Sequence, residues 1–170
     1  AHESVQLAVF DSGFAVYVDK VDSAQPLKAI TTIGSRVPAT VTSTGKAILS
    51  WLPSESLDVA FQHVKRYTPL TLMRRRDIEK DLEETRGRGY SINHGEFRVG
   101  VCGIGAPIRD RSGGVVAAVG VWGAEANILG PRREELAKLA IVAARDISRA
   151  LGHIEPQPVK EIAKARILAL

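Results

Sequence analysis

The order of strand-like and helix-like segments constrains the fold of this chain more than any other feature. Two runs with alternating apolar residues open the sequence, and the turn residues Asp11 to Gly13 separate them. This pattern predicts a β-hairpin. Helical segments follow, then three more strand-like runs and one long helix. Because strands and helices do not alternate one by one, the order predicts an α+β domain whose mostly antiparallel sheet is flanked by helices.

Further elements can be predicted within this order. They are a third strand in 27–38, short helices at 45–51 and 54–64, a surface helix in 74–90 that ends at a glycine, and a long helix at 131–152. The run GVVAAVGV has no polar face, which indicates a central strand covered on both sides, and the turn at 112–114 predicts that it pairs with the strand before it. Residues 159–170 are predicted to form a short amphipathic helix.

Length and composition limit the class of protein. A chain of 170 residues that is 45% hydrophobic and 25% charged fits one globular domain with a substantial core. The single cysteine, Cys102, excludes an intrachain disulfide and suits a reducing compartment. Because no apolar run approaches the length of a membrane span and no signal-peptide pattern opens the chain, we expect a cytoplasmic protein with no membrane partner. Since the first residue is not methionine, we expect a processed product or a fragment.

The modest positive charge does not by itself indicate nucleic-acid binding. The net charge is +4, and acidic residues closely follow the densest basic run, Arg74–Arg76. Arg75 and Glu79 have the spacing of a helical ion pair, which favours a solvated helix face. Few aromatic residues lie among the basic ones, and these residues form no helix-turn-helix or zinc-finger pattern.

The Gly-Lys pair at Gly45 and Lys46 raises the question of phosphate binding. A P-loop needs a glycine five positions before Gly45, where this chain has Thr40. It also needs a serine or threonine after the lysine, where this chain has Ala47. Both chemical requirements fail, so nucleotide hydrolysis is not expected.

What remains of that motif is a helix start rich in hydroxyl groups. Thr42, Ser43 or Thr44 can cap a helix that begins near Gly45. The free N–H groups of a helix start also favour a negatively charged or hydrogen-bonding guest. The hydroxyls therefore serve either as caps alone or as part of a ligand site.

The sequence offers no clear catalytic or metal-binding group. The four histidines are far apart and no CxxC pair exists, so no metal site is predicted. Cys102 lies in an apolar strand, where a cysteine is usually a packing residue. Glu96 is a lone carboxylate in a predicted loop, where solvation or capping is the commoner role. The glycines around Cys102, at Gly103 and Gly105, indicate close approach of a ligand or of a second backbone.

Several separate segments could meet around one cavity in an antiparallel sheet. They are the hydroxyl-bearing helix start, the loop that carries Asn93, and glycine-bearing strands at 101–105 and 120–123. Apolar walls with few polar groups are typical of a small-molecule pocket. Because no acid–base or nucleophile–base pair is evident, binding is favoured over catalysis, and no cofactor is predicted.

Four longer segments carry a resemblance to a known family. They are GSRVPATVTSTGKAILSWLP, YTPLTL with DLEETRGRGYSIN, GEFRVGVCGIGAPIRDRSGGVVAAVGVWG, and ISRALG. In this order they resemble the C-terminal effector-binding domain of the IclR family of transcriptional regulators. The resemblance implies a GAF-like domain over residues 1–152, with a curved antiparallel sheet between helices, and a C-terminal extension over 153–170. It also implies a preceding winged helix-turn-helix domain that is absent from this chain.

The resemblance also implies a set of effector-binding positions. They comprise apolar wall positions, a polar floor before the Gly-Lys pair, a loop position, and positions on two strands: Ala29, Val37, Ser43, Thr44, Asn93, Val101, Gly103, Gly120 and Trp122. The chain departs from the family pattern in three places. Thr40 stands where a histidine is usual, Gly95 precedes Glu96 where two acids are common, and Trp122 replaces a small hydroxyl residue. Whether Trp122 faces the pocket or a subunit contact is left open.

The function implied by the resemblance is ligand sensing without covalent change. Family members bind small organic acids or aromatic compounds, and they form homodimers or homotetramers whose affinity for DNA changes when the pocket fills. Contact with DNA is expected only through the missing N-terminal domain. Two alternatives remain from the sequence: a small enzyme that uses Cys102 or Glu96, and a GAF-like signalling module fused to another kind of domain.

Overall fold

The computed structural model describes residues 3–23 and 32–155 of the chain. Its strands are β1 Ser4–Asp11, β2 Phe14–Val21, β3 Arg36–Pro38, β4 Ser91–Asn93, β5 Val101–Arg109 and β6 Val115–Ala124. Its helices are α1 Ser43–Leu49, α2 Ser54–Phe61, α3 Arg75–Arg88, α4 Glu125–Ile128 and α5 Arg133–Ala150, and a 3-10 turn spans Ala39–Val41.

The strands form one sheet in the order β3-β2-β1-β6-β5-β4, and every neighbouring pair is antiparallel. This confirms the α+β class and the antiparallel sheet predicted from the order of segments. β6 lies between β1 and β5, with Gly120 opposite both Gln6 and Gly105. The apolar run GVVAAVGV is therefore a central strand, as its lack of a polar face predicted.

One face of the sheet carries the main hydrophobic core. Ile104 and Ile108 of β5 are fully buried and belong to one cluster with Leu136, Ala140 and Ala144 of α5. The apolar stripe of the long helix is the face that packs on the sheet. This confirms the helix predicted at 131–152 from its spacing.

The other face lies against α1, and glycines make that contact possible. A Cβ atom at Gly105 would lie 2.6 Å from the carbonyl oxygen of Ser43, and one at Gly103 would lie 2.7 Å from Ser43 Oγ. At Gly120, a Cβ atom would lie 2.7 Å from Cγ2 of Thr44. Because these glycines of β5 and β6 have no side chains, the first turn of α1 can lie directly against the sheet. The sequence left open whether a ligand or a second backbone approaches the glycines, and the structure shows that a second backbone does.

The start of α1 differs from the sequence prediction, and the glycine stop predicted for α3 is confirmed. α1 begins at Ser43 instead of Gly45, because Thr42 is extended and its hydroxyl accepts a hydrogen bond from Gly45 N at 3.0 Å. α3 continues through Gly87, and its last residue is Arg88. The next residue, Gly89, adopts a left-handed φ of 81° and ends the helix.

Two other predicted elements fall partly or wholly outside the described residues. Only Arg36–Pro38 of the predicted third strand is a strand within them. The helix predicted at 159–170 lies outside them. In the part of the chain that the structure describes, no helix is both long and apolar enough to cross a membrane.

Candidate functional site

A cavity of about 370 Å³ lies beside the start of α1. Its walls come from strands β1, β2, β4, β5 and β6, from the start of α1 and the residues before it, from Tyr67, and from the loop at 94–100, which we call the 94–100 loop. The lining residues are Gln6, Tyr17, Val41, Thr42, Ser43, Tyr67, Asn93, Phe97, Arg98, Val101, Cys102, Gly103 and Trp122. Apolar and aromatic groups thus dominate a space of the size that small ligands occupy.

The structure brings most of the expected effector-binding positions to this cavity. Those that line it are Ser43, Asn93, Val101, Gly103 and Trp122. Those that are not among its lining residues are Val37, Thr44 and Gly120. Ala29 lies outside the described residues. Trp122, whose orientation was left open by the sequence, forms part of the cavity wall.

Thr44 lies behind the cavity wall. It is 2% exposed and contacts the backbone at Gly120, as described above. Its hydroxyl lies near the phenol of Tyr17 but makes no hydrogen bond of good geometry within the described residues. Burial raises the pKa of Tyr17 to about 12, and the nearby hydroxyls of Thr44 and Thr42 only partly offset that effect. Tyr17 therefore stays neutral at physiological pH.

Asn93 fixes the geometry of the wall. Its side-chain Nδ2 donates a hydrogen bond to the carbonyl of Val41, and its Oδ1 accepts one from Gly95 N at 2.8 Å. Both partners belong to segments that border the cavity. Asn93 thus joins the entry to α1 to the start of the 94–100 loop.

The lysine of the Gly-Lys pair is buried among carboxylates. Lys46 is 1% exposed, and its Nζ pairs with Glu96 and lies 2.9 Å from Asp81 Oδ2. Its Nζ also donates to the carbonyl of Ile92 at 3.1 Å. Because these groups occupy the ammonium, Lys46 joins α1 to α3 and to the 94–100 loop and is not available to a phosphate.

Glu96 has a structural role rather than a solvated one. It is 3% exposed, and besides Lys46 its carboxylate accepts a hydrogen bond from the backbone N–H of His94. The hydroxyl of Thr71 donates to the Glu96 carbonyl at 2.7 Å, and that of Thr68 donates to the Gly95 carbonyl at 2.9 Å. These bonds anchor the 94–100 loop at Gly95 and Glu96, next to the lining residues Phe97 and Arg98.

Sequence reasoning missed several lining residues, most of them aromatic or charged. They are Gln6, Tyr17, Val41, Tyr67, Phe97 and Arg98, and Thr42 and Cys102 also line the cavity although neither was among the expected effector-binding positions. Tyr67 and Phe97 contact each other, with ring centroids 5.0 Å apart and ring planes tilted by 57°. A usable signal existed for two of them, because Phe97 and Arg98 directly follow Glu96 in the loop that was already expected to border a pocket.

Cys102 lies at the cavity but is poorly suited to nucleophilic chemistry. It is 2% exposed. Burial, with smaller contributions from the negative charges of Glu125 and Glu96, raises the pKa of its thiol to about 11. Because the thiolate is the nucleophile, the folded protein holds the less reactive form at neutral pH.

We expect Cys102 to resist alkylation while the protein is folded. At pH 8 a thiol with a pKa near 11 has roughly a hundredfold less thiolate than one at its ordinary value near 9. Incubation with iodoacetamide, read by intact-mass spectrometry, should leave the native protein unmodified and label it fully in urea. Rapid labelling of the native protein at pH 7 would contradict this account of Cys102, and a Cys102→Ser variant controls for labelling elsewhere.

No metal centre is formed by the described residues. Within 3–23 and 32–155, no group of three or more histidine, cysteine, aspartate or glutamate side chains is placed to hold an ion.

A second cavity of about 470 Å³ lies between α5 and β5 and carries several cations. Its cations are already engaged within the chain. Arg145 pairs with Glu155 at 2.9 Å, and Arg109 stacks on Trp51 at 4.2 Å and donates to the Gly113 carbonyl. The cavity beside α1 is therefore the better candidate for a ligand site.

Comparison with known proteins gives a consistent result. Residues 1–149 match the model of a family described as bacterial transcriptional regulator IclR C-terminal. The HTH-type transcriptional repressor AllR of Klebsiella pneumoniae is 32% identical over 157 residues, which cover 91% of this chain and 57% of AllR.

Solved structures of related proteins share the fold. The Agobacterium tumefaciens repressor BlcR has a TM-score of 0.82 and 33% identity, over 90% of this chain and 61% of that one. The IclR protein of Thermotoga maritima has a TM-score of 0.83 and 32% identity, over 89% of this chain and 62% of that one. These similarities confirm the GAF-like fold with its curved sheet, and the chain spans little more than half the length of these relatives.

Proposed function

The chain belongs to the IclR family of bacterial transcriptional regulators, and we propose that its cavity binds a small organic acid or aromatic metabolite that changes how the whole regulator binds DNA. The chain is an effector-binding domain of this family and not an enzyme. The small enzyme considered from the sequence is therefore wrong.

The observation that carries the proposal is the chemistry of the cavity. It has about 370 Å³ of space, largely apolar walls and few polar groups. The groups that could have performed chemistry nearby are already committed, since Glu96 is paired with Lys46 and Cys102 is buried as a thiol. Such a site favours holding a guest over transforming it.

Filling the cavity can influence the rest of the molecule through the elements that form its walls. Ser43 belongs to α1 and Asn93 ends β4 directly before the 94–100 loop, and Lys46 joins α1 and this loop to α3. A guest shifts the balance between two arrangements only by binding one of them more tightly. We propose that the favoured arrangement differs in its affinity for DNA.

The relatives support a proposal for the parts of the regulator beyond this chain. Because AllR is called an HTH-type repressor and extends well beyond the matched region, we propose a winged helix-turn-helix domain before residue 1 and repression as the output. A regulator of the chromosome works in the bacterial cytoplasm, and we assign this one there. Homodimers or homotetramers are proposed, and Leu139 and Val142 on α5 offer exposed apolar surface for such contacts.

A cavity-filling substitution tests this proposal. Val101→Trp should occupy the cavity without entering the core, since Val101 is only partly buried. Candidate acids and aromatic compounds that raise the melting temperature of the parent protein should lose that effect in Val101→Trp. They should keep it in Val116→Trp, a matched change at an exposed position of β6. A shift that survives Val101→Trp would mean that the compound binds elsewhere.

The same compounds should alter DNA binding by the full-length regulator. A mobility-shift titration on its own promoter region should show that the compound changes the DNA affinity of the parent regulator. The compound should leave the DNA affinity of the Val101→Trp variant unchanged. Compounds that bind the cavity and leave DNA affinity unchanged would contradict the regulatory part of the proposal.

A further inference from the structure

We infer that the effector is an aromatic carboxylate, whose ring lies among four aromatic side chains and whose carboxylate meets Arg98. This inference rests on the proposed function and names the chemical class of its ligand. Three features of the cavity lead to it: its size, its aromatic content and the sign of its charge.

The size of the cavity argues against the smallest acids. In another protein, an engineered cavity of roughly 150 Å³ is enough to bind benzene. The cavity here is about 370 Å³ and can hold a ring with substituents. An acid of two or three carbons would leave most of the apolar wall without a partner, so little of the available contact energy would be gained.

The aromatic content of the wall favours a flat guest. The chain has three tyrosines, four phenylalanines and two tryptophans, and Tyr17, Tyr67, Phe97 and Trp122 from four separate segments all line this cavity. Aromatic rings interact favourably with one another beyond the area they bury. Trp122 lines the cavity while its indole N–H is covered and has no hydrogen-bond partner in the described chain, so the contact expected with a guest is through the ring and not through this N–H.

The positive charge of the cavity lining excludes cations, which are the other class of ligand that binds among aromatic side chains. A quaternary ammonium also binds among aromatic rings, but such sites favour cations. Here no aspartate or glutamate is among the lining residues, and the nearby carboxylate of Glu96 is paired with Lys46. Arg98 is the charged residue of the lining, and its guanidinium forms no ion pair within residues 3–23 and 32–155. An arginine fork matches the two oxygens of a carboxylate.

Calorimetric titration with benzoate as the probe tests this inference. Benzoate should bind at least tenfold more tightly than benzamide, which keeps the ring and loses the charge. Benzoate should also bind more tightly than cyclohexanecarboxylate, which keeps the charge and the ring size but is not aromatic. It should bind more tightly than acetate, which keeps the charge and lacks the ring. Phenyltrimethylammonium, which reverses the charge, should show no binding.

Two variants assign the contacts. Arg98→Gln should weaken benzoate binding about tenfold and leave benzamide binding unchanged, because one charge-assisted interaction is lost. Arg66→Gln is the matched control, an exposed arginine beside Tyr67 that does not line the cavity. Trp122→Leu should weaken benzoate binding several-fold and affect cyclohexanecarboxylate less. Melting temperatures of all variants should confirm that each is folded.

The outcomes separate this inference from the proposed function. If non-aromatic compounds bind and lose their effect in Val101→Trp while benzoate does not bind, the proposed function stands and the aromatic-acid inference is overturned. If benzoate and cyclohexanecarboxylate bind equally, or Arg98→Gln leaves benzoate affinity unchanged, the inference is also overturned. If no compound depends on Val101, both fail.

Discussion

Replacing Lys46 by methionine is expected to lower the free energy of unfolding by about 3–5 kcal/mol, because it leaves the buried carboxylate of Glu96 without its cation. Lys46 is 1% exposed and Glu96 3%, and the chain brings them together from α1 and the 94–100 loop. Methionine keeps the approximate length and packing of the side chain, so the decrease in the free energy of unfolding reports the loss of the positive charge. Urea unfolding followed by circular dichroism measures it.

Two further variants show whether the effect comes from the buried charge. Lys46→Met combined with Glu96→Leu should be more stable than Lys46→Met alone, since the stranded carboxylate of Glu96 is removed and Asp81 keeps Arg88 at 3.8 Å. Arg75→Met removes an exposed arginine that pairs with Glu79 and should change stability little. A Lys46→Met protein as stable as the parent would contradict the role given to this lysine.

The contact between α1 and the sheet predicts that Gly105→Ala is destabilising, by about 1–3 kcal/mol. The added methyl group would lie 2.6 Å from the carbonyl oxygen of Ser43 and 2.9 Å from Ser91 Oγ. Backbone conformation is not the obstacle, because Gly105 is not among the residues with positive φ. The start of α1 would have to move away from β5, and the cavity beside it would change shape.

A second glycine, Gly87, provides a control for which the expected change in stability has the opposite sign. Gly87 lies inside α3, and nothing is within 4 Å of the position that its Cβ would occupy. Gly87→Ala should therefore stabilise the protein by about 0.5–1 kcal/mol through helix propensity. Equal stability of the Gly105→Ala and parent proteins, in the same urea experiment, would show that α1 does not press on β5 as described.

Local patterns in the sequence were enough to predict most of the architecture. Alternation gave the β1–β2 hairpin, the lack of a polar face placed β6 in the centre, and helical spacing identified the buried stripe of α5. Each of these signals depends on residues close together in the chain. The start of α1 was misplaced by two residues because any of three hydroxyl residues could have capped it, and the structure uses Thr42.

Contacts between distant residues could not be predicted in the same way. Lys46 and Glu96 are fifty residues apart, and nothing in either local sequence says that they pair. Similarly, Tyr17 sits in a plain alternating strand and Tyr67 in a loop, and only the packed fold brings them to one cavity. The family resemblance grouped Ser43, Asn93 and Trp122, which line one cavity, because it carries three-dimensional information that periodicity lacks.

If a small guest binds in the cavity beside α1, the fluorescence of Trp122 should report on it directly. The chain has two tryptophans, and Trp51 lies outside this cavity, stacked under Arg109. In a Trp51→Phe protein, fluorescence therefore arises from Trp122 alone. Titration with a compound that raises the melting temperature, benzoate first, should change this emission in a saturable way at the concentrations that stabilise the protein. Stabilisation without any change in Trp122 emission would place the binding site elsewhere and contradict the account.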